Sequence, residues 1–158
     1  MYLQTIRQLL LIIHLSGLTL MAGTTVAAFV TFRAFINRFN IKSEGTSALL
    51  KLLSNLGAIK GIGGILLILS GIGLTIVTGS VFLHMLWLQL KLSIILLMVL
   101  NEMLIGNRQL KKLTTAFSEN NSDGATVIKM TVPKIVVFYT IQLLLFLGII
   151  VLAVFKFN

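Results

Sequence analysis

The chain contains no cysteine, one proline and only four acidic residues in 158. Without cysteine there can be no disulfide, iron–sulfur cluster or thiolate metal site. The scarcity of carboxylates leaves little room for hydrolytic chemistry, because a paired acid and base would have to come from them. No Ser–His–Asp set or zinc-type cluster stands in for such a pair. Charge of any sign is rare: 11% of residues are charged, against roughly a quarter in an ordinary soluble domain.

What is abundant is apolar surface. Hydrophobic residues make up 57% of the chain and the mean hydropathy is +1.03. A soluble core of this size cannot bury that much, so lipid must be the solvent for a large part of it. The net charge of +9 could indicate nucleic acid, but the basic residues flank apolar blocks instead of forming a patch or tail, and no nucleic-acid partner is expected.

A helix needs about 20 apolar residues to cross the hydrocarbon core. Four stretches meet this, at about 8–32, 56–77, 82–105 and 135–155. The sequence therefore predicts one all-α integral membrane domain over residues 1–158, a four-transmembrane-helix bundle. The first stretch is longer than a signal-peptide core and reads as a retained span. "TGS" (Thr78–Ser80) is a tight hairpin between the second and third spans. The long third link should extend the third helix and then turn at "NNSDG", with Pro133 just ahead of the fourth span. Arg33, Arg38, Lys42, Lys51, Lys60, Arg108, Lys111, Lys112, Lys129 and Lys134 fall on the side of the first and third links; only Arg7, Lys91 and Lys156 do not. The positive-inside rule puts those links in the cytoplasm and both termini outside, as in a multi-pass protein of a bacterial inner membrane.

Ionisable residues inside spans are costly and mark candidate sites. Lys91 lies about nine residues into the third span, roughly 13 Å deep at the helical rise. His84, Trp87, Lys91, Met98 and Glu102 recur at helical spacing and share a face that should point into the bundle. Glu102 is too far along the helix to pair with Lys91, and Arg108 or Lys112 is its expected partner. On the antiparallel first span His14 falls at the depth of Lys91, with Arg7 two turns earlier on the same face. Gly17, Met21, Thr24 and Ala28 continue that face, leaving room for a flat ligand. His14 could be an axial haem ligand or could simply hydrogen-bond a neighbouring helix. Gly57, Gly61, Gly64 and Gly71 in the second span read as a close helix-packing face. Tyr139 and Gln142 are expected to hydrogen-bond across helices.

"LLIIHLSGLTLMAG" in the first span, "GGILLILSGIGL" in the second and "WLQLKLSIILLMVL" in the third resemble a superfamily of small four-helix bacterial membrane proteins. It includes the HemJ-like protoporphyrinogen oxidases, which bind b-type haem, and the CopD-like copper-resistance domains. The resemblance covers nearly the whole chain and rests on an early first-span histidine and a W-x-x-x-K step. Met21 stands where those sequences usually carry an aromatic residue, and Asn101–Glu102 where they often carry Tyr-His.

The resemblance implies a haem b cofactor and a membrane oxidoreductase that converts protoporphyrinogen to protoporphyrin, its electrons leaving to a membrane acceptor. His14 would then ligate haem iron, with His84 as a second ligand or pocket residue. Lys91 would be the catalytic lysine, and Lys91, Arg7 and Trp87 would line the cofactor or porphyrin site. Two other readings of the sequence remain open: an accessory subunit of a larger membrane complex, and a small metal or proton transporter. The glycine stripe is compatible with a homodimer.

Overall fold

The computed structural model describes residues 2–40, 45–79, 85–118 and 122–154. All of it is helical apart from short turns. The elements are α1 (Tyr2–Asn40), α2 (Thr46–Val77), α3 (Leu86–Asn101), a single π-helical segment (Glu102–Gly106), α4 (Asn107–Ser118) and α5 (Ser122–Val154). The last turn of α3, the π segment and α4 run on without a break, so the molecule consists of four long rods. Long apolar runs without proline favour this outcome, since a helix satisfies every backbone N–H and C=O internally where no water is at hand.

Turn chemistry sets two of the boundaries. Gly45, at φ +87°, precedes α2, and Gly79, at φ +66°, follows its C-cap. Both positions are left-handed, which glycine adopts without the steric cost of a Cβ.

Four helices are long and apolar enough to cross a membrane. Their outer faces carry exposed leucine and isoleucine along most of their length, including Ile12, Ile65, Leu69, Leu96, Leu144 and Leu147. Apolar exposure on that scale has no counterpart on a water-soluble monomer. The helices also outrun the bilayer: α1, with 39 residues, is about 58 Å long, nearly twice the thickness of the hydrocarbon core.

The end that carries the first and third links is here called the basic end. Phe32, Phe35, Leu53, Leu113, Ile135, Phe138 and Tyr139 pack there into the main core, nearly or fully buried. Rings meet at offset or tilted angles: Phe32 to Phe35 at 6.5 Å, Phe35 to Phe117 at 6.0 Å, and Phe138 to Tyr139 at 4.9 Å between centroids. Burial of these side chains from α1, α2, α4 and α5 holds the four rods together at this end.

Toward the termini the rods associate in pairs. The most extensive contact is between α1 and α2, while α3 and α4 lie against α5, and α1 meets α5. The α1–α2 seam is closest where Gly17 faces Gly63: a methyl group added at Gly17 would lie 2.9 Å from both the Gly63 carbonyl oxygen and the Leu67 nitrogen. Consecutive helices α2 and α3 form no such seam, and a groove runs between them.

Two expectations change. The stripe through Gly17 does not leave room for a flat ligand, because α2 fills it. Conversely, Gly57 and Gly61 are not packing residues: a methyl on either would meet nothing within 4 Å, and both line the α2–α3 groove. The spacing of the glycines was visible in the sequence, but spacing does not tell which glycine faces a helix. The third link also differs. α4 extends α3 as expected, but α5 begins at Ser122, so Pro133 lies inside it and not at its start. Proline removes one backbone donor from the helix. Pro133 is exposed while Ile128, Thr131 and Ile135 around it are buried, so packing on the other face carries the helix through.

Candidate functional site

His14 sits on the α1–α2 seam. Its Nδ1 is 3.0 Å from Ser70 Oγ, and its ring edge rests on Gly71, where a Cβ would come within 3.4 Å of Cε1. That is ordinary van der Waals contact, so the imidazole packs directly against the α2 backbone at Gly71. Ser70 donates its hydroxyl hydrogen to the Leu66 carbonyl at 2.6 Å. With that hydrogen engaged, the Ser70 oxygen is free to accept from His14, an arrangement that suits the tautomer with the hydrogen on Nδ1. In that tautomer Nε2 is left as a bare lone pair, the state in which a histidine binds a metal or takes a proton.

Lys91 is half-buried on α3, with Nζ 4.9 Å from the centroid of the half-buried Trp87 ring. A cation at that distance from an indole face gains a favourable quadrupole interaction. Trp87 and Lys91 meet on α3, and His14 stands on the α1–α2 seam. Arg7 is exposed on α1 two turns above His14. His84 lies outside the described residues.

Further along the same face of α3, Met98 is buried and Glu102 half-buried, whereas Leu92, Leu96 and Leu97 face outward. The inward face read from the spacing is the observed one over the described residues. The partner of Glu102 is different from the one expected. Lys60 of α2 places Nζ 2.6 Å from both carboxylate oxygens and 5.4 Å from the centroid of the Phe138 ring. Arg108 and Lys112 sit beyond the π segment on the exposed side of α4. Same-helix arithmetic could not find Lys60, which is 42 residues away on another rod.

A polar tie missed from sequence lies one residue before Glu102. Asn101 donates Nδ2–H to the Gln142 Oε1 at 3.0 Å and to the Phe138 carbonyl at 3.2 Å, fastening α3 to α5. Gln142 does bond across helices, as expected of it, while Tyr139 packs in the ring cluster instead. A buried amide in a span signals such a tie, and Asn101 was legible on that ground.

The α2–α3 groove has a volume of about 300 Å³. Lys60 and Glu102 close its basic end and also border an interior cavity of about 240 Å³ walled by Leu53, Ile135 and Tyr139. Among the described residues no three His, Asp or Glu side chains cluster to bind a metal ion unaided. No protein-family model, curated protein or solved structure matches the chain.

Proposed function

We propose that the chain is a haem b-binding protein of a bacterial inner membrane, with the first and third links cytoplasmic and both termini outside. The observation that carries this reading is the contact of His14 Nδ1 with Ser70 Oγ at 3.0 Å, which orients the imidazole through one nitrogen and leaves Nε2 as the candidate ligand atom. A neutral imidazole oriented by its other nitrogen is the usual form of a histidine iron ligand. The open side between α2 and α3 supports the reading, since it is the one place where consecutive rods do not close on each other. A planar group would have to reach His14 from the open flank, since α2 fills the face below it. His14 would hold the iron, Trp87 would offer an apolar wall, and Lys91 a cation for a propionate or for an anionic porphyrin.

Haem bound there would supply one-electron redox chemistry. The reaction class we propose is oxidation of a porphyrinogen, its electrons leaving one at a time to a membrane acceptor such as a quinone and its protons to solvent, consistent with the sequence resemblance to HemJ-like proteins, with Lys91 positioning the substrate. Its orientation in the membrane rests on the segregation of the basic residues to one end.

The test is haemin titration of full-length protein purified from haem-depleted cells. Wild type should saturate near one haem per chain and His14→Ala should not saturate, although it elutes from size exclusion as wild type does. Equal uptake by both proteins would remove His14 from the site.

A further inference from the structure

The Lys60–Glu102 pair plays no part in that reading, yet it occupies a distinctive place. It stands between two spaces: the α2–α3 groove on one side and the interior cavity on the other, and Gly57 and Asn107 border both as well. The groove is floored by the bare backbone of Gly57 and Gly61 and walled by Ile65, Ile68 and Val99. It is therefore an apolar slot that ends on one cation and one anion. Lys60 and Glu102 side chains are only 11% and 25% exposed, and both fall within helices that cross the membrane. Glu102 also opens the π segment, a helix irregularity that often marks sites of function.

The charges restrict what can dock there. An anionic head group would take Lys60 and leave the Glu102 carboxylate without a cation. A cationic head group would take Glu102 and strand Lys60. Removing one partner of a poorly solvated ion pair is the costly event, far more so than exchanging partners. A head group carrying both charges exchanges both at once: its anion meets the Lys60 ammonium and its cation meets the Glu102 carboxylate. No net charge moves and none is left unpaired. The slot requires that the ligand also have an apolar body, and the surrounding bilayer is the phase in which such molecules are concentrated.

We infer that the α2–α3 groove is a binding site for a zwitterionic membrane lipid, whose phosphate and ammonium groups dock on Lys60 and Glu102 in exchange for the ion pair.

Native mass spectrometry of the full-length, delipidated protein with added phosphatidylethanolamine or phosphatidylglycerol tests this. Wild type should retain the zwitterionic lipid over the anionic one by about 100-fold or more, the scale expected when one ligand leaves no charge unpaired and the other does. Glu102→Gln should move the preference to phosphatidylglycerol, since only a cation remains to be met. Lys60→Gln should abolish retention of phosphatidylglycerol and weaken that of the zwitterion. The charge-swapped pair Lys60→Glu with Glu102→Lys keeps both charges, and its zwitterion preference should persist even if the single variants fold poorly. Equal retention of the two lipids by wild type, or a zwitterion preference that survives loss of both charges, would overturn the site. Displacement of the lipid by free phosphoethanolamine would overturn the part assigned to the groove.

Discussion

Ser70 has a single hydroxyl hydrogen, and its donation to the Leu66 carbonyl leaves the oxygen free to accept from His14 on another helix. Ser70→Ala should leave His14 in place on Gly71 but remove the acceptor that orients it, and haem affinity should fall about 10- to 100-fold, the usual effect of losing a partner behind a metal ligand. Equilibrium haem titration reads this directly. Lys60 and Glu102 give a second prediction at the same scale. Lys60→Met alone should destabilise the protein by about 3–5 kcal/mol, because Glu102 is left uncompensated, while Lys60→Met with Glu102→Leu should recover most of that loss. Unfolding of the purified variants in mixed detergent micelles measures both. The depth of His14 and Lys91 could be read from the sequence because helical rise converts position into depth. The partner of Glu102 could not, because it depends on which rods are neighbours at the basic end.

The glycines show how much a helix alone reveals. Gly17 and Gly63 are the contact point of the α1–α2 pair, and the atoms a new Cβ would strike at Gly17 are backbone, which cannot move aside. Gly17→Ala should therefore destabilise the fold by about 1–3 kcal/mol through overpacking. Gly57→Ala and Gly61→Ala meet no neighbour and should be neutral or stabilising by up to about 1 kcal/mol, since alanine is the better helix former. The order of the three variants in thermal unfolding checks the assignment of seam and groove. Helix identity followed from hydropathy and the near absence of proline. Helix length did not: the amphipathic residues of α4 and the polar start of α5 are held helical by the aromatic core, with Leu113, Phe117 and Ile128 packed against α1 and α2 residues. An apolar-run criterion stops at the membrane boundary and overlooks helix that continues beyond it.

For the whole molecule, four rods joined firmly at the basic end and paired toward the termini make a bundle with one open flank. The absence of cysteine allows its orientation to be measured without background. Tyr2→Cys should react with a membrane-impermeant maleimide applied to intact spheroplasts, and Ser47→Cys should react only after the membrane is opened; both side chains are exposed. The reverse pattern would invert the proposed orientation. A haem site on the α1–α2 seam requires that Nε2 of His14 meet iron. Reduced-minus-oxidised absorption spectra of membranes carrying the wild-type protein should show a Soret band and split α and β bands, and His14→Ala made to the same level should lack them. Identical spectra from the two proteins, or no haem signal from wild type, would contradict it.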